Sequence, residues 1–360
     1  MKLLSIYRDK VTSHRGTPIR VRTILTQFAY DSEIELTVAS WDEAAPVAAR
    51  HLHLTNEHVR DAFDLIRFVR KEKIDVVMGH TISSYIYLIP LRLFTSAKIV
   101  LEMHGFQEEE ALLYGNIGRV KYRMLKWLFG TFYRLCHFIT TCSDTAADEI
   151  RKSNPNVLAV YGGADPALFS PREASSGRMD GIVIGYAGNA SIWQGLDFLV
   201  EAFKRIRVDH PEFRLALLTN KPDKVPKLEG IESVGPFPYD QVPSFLADCD
   251  VLVIPRPQNR VNELSFPSKL VEYMAMGKPV VASRTSDADR VITDGVDGLI
   301  YEPGDMDGLV AALLRLRDSE LRERVGRAAM ETVHEKFTWE RQVGMIREGL
   351  MRLRGDFRNI

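Results

Sequence analysis

GIVIGYAGNASIWQGLDFLVEAF, residues 181–203, decides the fold. Its first eight residues form a short apolar run that closes on Gly188. A glycine-bearing turn follows, and from Leu196 onward apolar side chains recur at helical spacing. Strand, turn and helix in that order are half of a βαβ unit, the building block of a parallel sheet covered by helices. The alternation continues outward in both directions. Toward the C-terminus RLALLTN, IESVG, VLVIPR, PVVAS and GLIYEP alternate with periodic stretches such as YDQVPSFLADC and SKLVEYMAMG. Toward the N-terminus KLLSIY, IELTVAS, DVVMGH, KIVLEMHG and FITTCS are separated by segments such as HVRDAFDLIRFVRKEK. Between the two series VLAVYGGADPALFSPREASSGRMDG gathers Gly, Pro and Ser and loses its period, which marks a linker near residues 162–181. The pattern predicts an α/β protein of two Rossmann-like, doubly wound parallel-sheet domains facing a cleft. The first takes residues 1–170 and is joined by a C-terminal helix over 340–360; the second takes residues 171–339.

Size and charge agree with this reading. A chain of 360 residues exceeds the about 100–200 residues of one ordinary domain. Lys plus Arg (47) and Asp plus Glu (48) nearly cancel, so no global field favours nucleic acid, and the expected partner is a small molecule. Cys136, Cys142 and Cys249 have neither metal-ligand spacing nor the even count of a disulfide framework, which fits a reducing, cytoplasmic setting. The opening MKLLSIYRD becomes charged too early for a signal-peptide core, and no run approaches the about 20 apolar residues of a spanning helix.

In open α/β sheets, ligands bind beyond the carboxyl ends of strands, so the loops there carry function. GYAGNASIWQGLDFLVEAF, YGGADPALFSP, PSKLVEYMAMGKPVVAS and DGVDGLIYEPGD occur in the order and spacing of one family. The chain resembles the GT-B glycosyltransferases, specifically the retaining family four, over nearly its whole length. The resemblance implies a nucleotide-sugar donor, of UDP or GDP type, bound mainly by the second domain. It implies an acceptor, a sugar or a lipid-linked one, bound mainly by the first, with a last helix crossing back to the first domain.

The stretch FPSKLVEYMAMGKPVVAS predicts a helix capped by Ser268, stopped at Gly277 and followed by a strand opened by Pro279. Lys269 stands in the first turn, where a cation opposes the helix dipole by a few tenths to about 1 kcal/mol unless an anion is bound there. A diphosphate is such an anion. Three residues on, Glu272 can accept both hydroxyls of a ribose. The plainer account is an exposed i,i+3 pair. The family has a further glutamate eight residues before Glu272, but that position is Leu264. Either Glu263 takes its task by a register shift, or backbone amides do.

In GYAGNASIWQGLDFL, Gly188 permits close approach of the backbone to a phosphate. Many relatives place Arg and Lys where this chain has Asn189 and Gln194. Lys269, then Arg256 and Arg260 in IPRPQNRVNELSFP, are the cations expected to compensate; solvated loop charges are the competing account of the two arginines.

In the first domain, His104 ends KIVLEMHG and His80 ends DVVMGH. The resemblance gives His104 a contact with the donor sugar and a part in the transition state; a neutral imidazole can donate to a hydroxyl or carry a proton. Gly16, in HRGTPIRV, is expected to let the backbone approach donor or acceptor, with a simple turn as the alternative. Residues 118–134, GRVKYRMLKWLFGTFYR, interleave five cations with five aromatics and no acid. Such a helix suits an anionic membrane surface at the inner face of the cytoplasmic membrane; a core-facing aromatic stripe with solvated cations is the alternative.

No Asp-x-Asp suited to a metal-held diphosphate is placed at a strand end, so no metal and no cofactor is expected. The implied reaction is metal-independent transfer with retention, in synthesis of a cell-envelope polysaccharide or glycolipid. The rivals are a nucleotide-sugar epimerase or hydrolase of similar fold and a catalytically silent binding subunit. The turn after KLLSIY lacks G-x-G-x-x-G, which disfavours a nicotinamide dehydrogenase.

Overall fold

Strands covered by helices on both faces are near-continuous runs of Val, Ile and Leu, and the chain supplies two sets of them. The computed structural model describes residues 1–13, 16–235 and 237–355. Pro236, within the Gly235–Pro238 stretch that the resemblance associates with base contacts, and the last five positions of the expected C-terminal helix lie outside the described residues. Two compact units emerge: Met1–Tyr161 with Trp339–Ile360, and Gly162–Thr338.

The first unit holds β1 (Lys2–Tyr7), β2 (Glu35–Ser40), β3 (Arg50–His53), β4 (Val76–His80), β5 (Lys98–Met103), β6 (Phe138–Thr141) and β7 (Val157–Ala159). They form one parallel sheet in the order β3-β2-β1-β4-β5-β6-β7. Chain direction across the sheet reverses between β1 and β4, which makes the carboxyl ends of these strands its switch point. The helix Gly16–Ala29 buries Val21, Ile24, Leu25 and Phe28 in a core shared with Trp339, Val343, Ile346 and Leu350 of the helix Trp339–Arg354. Arg347 on that last helix also pairs with Asp31 and Glu33.

The second unit holds β8 (Ile182–Gly188), β9 (Phe213–Thr219), β10 (Ile231–Val234), β11 (Val251–Ile254), β12 (Val280–Ser283) and β13 (Leu299–Tyr301). Their order is β10-β9-β8-β11-β12-β13, again parallel, with the switch point between β8 and β11. Leu199, Phe203 and Ile206 of the helix Leu196–Asp209 pack on Ile184, Leu215 and Val253 of this sheet.

Eleven of these strands fall on the predicted runs. The two unforeseen ones, β3 and β7, are edge strands without a fully buried residue, so they carry no apolar run to read. Residues 162–170 belong to the second unit. Ala164 bridges Thr338 and donates its N–H to the Phe337 carbonyl at 2.9 Å, and Phe169 is fully buried with its ring 5.5 Å from that of Tyr239. The three cysteines are free and buried, and burial pushes the Cys136 and Cys249 thiols up to about 12.

Candidate functional site

At the switch point of the second unit the sequence-predicted residues converge. Lys269 begins the helix Lys269–Ala275, and its Nζ donates to Gln194 Oε1 at 3.0 Å while lying 4.2 Å from the centre of the Tyr186 ring. A side chain at position 188 would collide with that ammonium, so the loop needs Gly188 for close approach. Gln194 is buried in the turn Ile192–Gln194, and its amide oxygen holds the Lys269 ammonium. Asn189 instead bonds its own loop, accepting from the Ser191 N–H at 3.1 Å and, through its carbonyl, from Tyr186 Oη at 2.8 Å.

Burial, and then the neighbouring Arg256, push the Lys269 ammonium well below its ordinary pKa, against the pull of Glu272. Burial raises the Glu272 carboxyl, against a hydrogen bond from Tyr239 and the charge of Lys269. The Tyr239 hydroxyl donates to Glu272 Oε1 at 2.6 Å. Tyr273 braces the same floor, accepting the Ala187 N–H at 2.6 Å and donating to the Ala187 carbonyl at 2.9 Å. Tyr186 and Tyr273 were not singled out from sequence, because a phenol in an apolar stretch has the signature of core, and Tyr239 stands in a polar turn with its partner 33 residues away.

Two expectations need correction, those for Ser268 and for Arg260 with Glu263, and the competing account of Arg256 falls. Ser268 does not cap the helix with its side chain: its own backbone is already helical, and its Oγ lies under Gly162. Arg256 is no solvated loop charge. It is buried, donates Nη1 to Ser265 Oγ at 3.2 Å and Ser286 Oγ at 3.1 Å, and stacks 5.1 Å from the Trp193 ring. Arg260 and Glu263 pair with each other at 3.0 Å on the short surface helix Arg260–Glu263, whereas Leu264 is buried in the core. An apolar side chain at 264 is thus a packing residue here, and Glu263 is held by Arg260.

The loop after β12 stores strain: Ser286 and Asp287 are buried with φ of 58° and 57°, a conformation rare outside glycine. Ser286 Oγ also donates to the Asn262 carbonyl at 2.6 Å, fixing the Arg256 loop. An Asp-x-Asp does follow β12, but Asp287 pairs with Arg290 at 3.9 Å and Asp289 with Arg284 at 3.2 Å.

In the first unit, β4 and β5 are neighbours in the register His80↔Glu102, and the His80 and His104 rings lie 6.2 Å apart. Between them stands Glu102, fully buried. Its Oε1 accepts from Arg20 Nε at 2.9 Å; its Oε2 meets His80 Nδ1 at 3.1 Å and also His104 Nε2. The ligand atoms of His80, Glu102 and His104 lie within 4.8 Å of one another, a metal-like grouping that sequence spacing did not reveal. Thr81, directly after His80, has φ 64° and ψ 157°, a strained conformation for a β-branched residue. Gly16 opens its helix, and among the described residues none lies near the place a side chain would occupy, so no close contact there explains it.

The basic segment forms one continuous helix, Arg119–Leu135, through Gly130. Phe129, Phe132 and Tyr133 face the core, whereas Val120 (85%), Met124 (58%), Trp127 (71%) and Leu128 (37%) are exposed on a single stripe. Lys126 is engaged by Glu149 at 3.0 Å; Arg119, Lys121, Arg123 and Arg134 are exposed beside the stripe. Among the described residues, no helix is long and apolar enough to cross a membrane.

Comparison with known proteins finds relatives for both units. Residues 30–168 match the family model described as Glycosyltransferase Family 4, and residues 181–319 that described as Glycosyl transferases group 1. An uncharacterized glycosyltransferase of Methanocaldococcus jannaschii is 31% identical over 43% of this chain and 44% of its own length. The MMP alpha-(1->4)-mannosyltransferase of Mycolicibacterium hassiacum is 31% identical over 56% of this chain and 50% of its own. The alignments thus span about half the length of these relatives. The Anabaena protein HepE, solved in complex with UDP and glucose, superposes with a TM-score of 0.75 at 17% identity, over 98% of this chain and 100% of the other.

Proposed function

Because the chain belongs to the family-four, group 1 glycosyltransferases, we propose that it transfers a sugar from a nucleotide-diphosphate donor to an acceptor hydroxyl. The transfer proceeds with retention and without a metal, in synthesis of a cell-envelope polysaccharide or glycolipid. One observation carries the reading: the Lys269 ammonium is held by Gln194 and Tyr186 beside Gly188, with Arg256 near and Glu272 one helical turn on. Two buried basic side chains beside a glycine turn suit a diphosphate, and a carboxylate braced by Tyr239 on one oxygen suits the ribose hydroxyls with the other.

In this scheme Glu272 fixes the nucleotide, and Lys269 and Arg256 stabilise the charge that develops as the diphosphate leaves. The sugar passes through an oxocarbenium-like state, and the acceptor hydroxyl attacks the same face with the departing phosphate taking its proton. His104 contacts the donor sugar. UDP or GDP is the nucleotide, and the UDP-bound relative favours UDP. The exposed stripe and cations of Arg119–Leu135 support a peripheral site on an anionic membrane and hence a lipid-linked acceptor.

The test is a thermal-shift series with UDP, GDP and their sugars, since a ligand of the native state raises the midpoint by mass action. Glu272→Ala is expected to weaken UDP binding at least about tenfold, given the worth of hydrogen bonds to a charged group. Unchanged affinity in a folded Glu272→Ala protein overturns the assignment.

A further inference from the structure

We infer that Glu102 is a positioning residue that holds His104 in one neutral tautomer, with the proton on Nε2, so that Nδ1 accepts a hydrogen bond from a hydroxyl of the transferred sugar. The choice of ligand rests on the glycosyltransferase reading; the tautomer rests on the first unit alone.

The argument is a count of donors and acceptors. Glu102 is buried, yet His104, Arg20 and His80 hold its carboxyl well below the usual range despite that burial. An ionised carboxylate only accepts. Its Oε1 is taken by Arg20 Nε, and Arg20 is itself fixed by the carbonyls of Val160 at 2.9 Å and Tyr161 at 3.0 Å and by the Trp339 ring at 5.7 Å. Its Oε2 faces two imidazole nitrogens, and both must donate: His80 through Nδ1 and His104 through Nε2. The account closes for His80, whose Nε2 accepts from Ser5 Oγ at 2.9 Å. It stays open for His104. Neither ring nitrogen has a well-formed hydrogen bond among the described residues, but Nε2 is in contact with Glu102 Oε2, so a proton drawn to Nε2 by that carboxylate leaves Nδ1 a buried lone pair with nothing to accept from.

His104 is kept neutral, because burial, Arg20 on its neighbouring helix and His80 on β4 together outweigh the pull of Glu102 on β5. A buried acceptor is satisfied by a donor. A sugar hydroxyl can donate, whereas a phosphate oxygen cannot. The hydrogen bond made by one ring nitrogen sets the proton on the other, so Glu102 determines what His104 can recognise without itself touching the substrate.

The direct test is nitrogen NMR of the full chain labelled with 15N-histidine, with the His104 signals assigned by His104→Gln. The expected result is a protonated Nε2 and a bare Nδ1 across neutral pH, and mixed tautomers in Glu102→Gln. In turnover, Glu102→Gln is expected to lower kcat about 10²-fold, the lower end of what a positioned proton-handling group contributes, while donor KM stays within about twofold. A proton on Nδ1, an imidazolium at neutral pH, or one zinc per chain by elemental analysis overturns the inference. So does a Glu102→Gln protein that loses thermal stability but keeps kcat. The wild-type spectrum decides even where the variant fails to fold. If UDP and GDP sugars leave the wild-type midpoint unmoved, the glycosyltransferase reading falls while the tautomer still stands or falls on its spectrum.

Discussion

Lys269 and Glu272 show how much of a site single residues can announce. A lysine whose pKa is depressed in the folded state loses its proton at lower pH than it does in the unfolded chain. Between the two values the unfolded chain binds the extra proton, so stability rises with pH there, and below both the folded protein carries a poorly compensated charge. A bound diphosphate reverses the balance by restoring the ammonium. Diphosphate affinity is therefore full below the folded Lys269 pKa and falls as pH rises through it, and binding on the alkaline side takes up a proton. Titration calorimetry of UDP in buffers of different ionisation enthalpy measures that uptake. Lys269→Met is expected to abolish it and to cost about tenfold or more in affinity, the worth of a charge-assisted contact. UDP heats that do not depend on the buffer between about pH 7 and 10 refute the coupling. Lys269, Gln194 and Gly188 were legible because a local pattern marks each: a cation at a helix start, and a strand, glycine turn and helix in sequence. Tyr239 and Tyr273 were not, since their bonds reach 33 and 86 residues along the chain and no local pattern records such partners.

Elements with a strong period were legible and those without one were not. The apolar runs of β1, β4, β5 and β8 are buried along almost their whole length, whereas β3 is RHLH, a half-exposed edge that owes its existence to pairing with β2. The helix Arg119–Leu135 combines both lessons. Its cations and aromatics were visible in sequence, but only the fold separates Phe129, Phe132 and Tyr133, which are core, from Trp127 and its exposed neighbours. An outward stripe of Val120, Met124, Trp127 and Leu128 flanked by cations fits the headgroup boundary of an anionic bilayer. Each basic side chain near such a surface contributes about 1 kcal/mol. The protein is expected to float with phosphatidylcholine vesicles containing phosphatidylglycerol and not with phosphatidylcholine alone. The double reversal Lys121→Glu with Arg123→Glu should weaken flotation more than about tenfold, and Trp127→Ser should weaken it with the UDP thermal shift intact. Equal flotation of wild type and double variant would assign the stripe to another partner.

Across the whole molecule, two sheets in tandem were readable from the sequence, but the seam between them was not. The Gly, Pro and Ser-rich passage marks where periodicity stops; backbone bonds decide which unit owns it, and Ala164 to Phe337 gives residues 162–170 to the second unit. The chain then returns at Trp339 to complete the first unit, adding Val343, Ile346 and Leu350 to a core begun by Leu3 and Val21. Trp339 has a second task there, since its ring packs on the Arg20 guanidinium that holds Glu102. Removing the ring should therefore loosen the first unit and leave the second intact. For Trp339→Ala, truncating a buried aromatic costs about 3–5 kcal/mol. Hydrogen exchange is expected to show lost protection in β1, β4, β5 and the helix Trp339–Arg354, with β8, β11 and β12 unchanged and UDP still bound. Loss of protection spread evenly over both sheets would mean that the two cores unfold as one cooperative unit and that the partition at Tyr161 and Trp339 has no energetic counterpart.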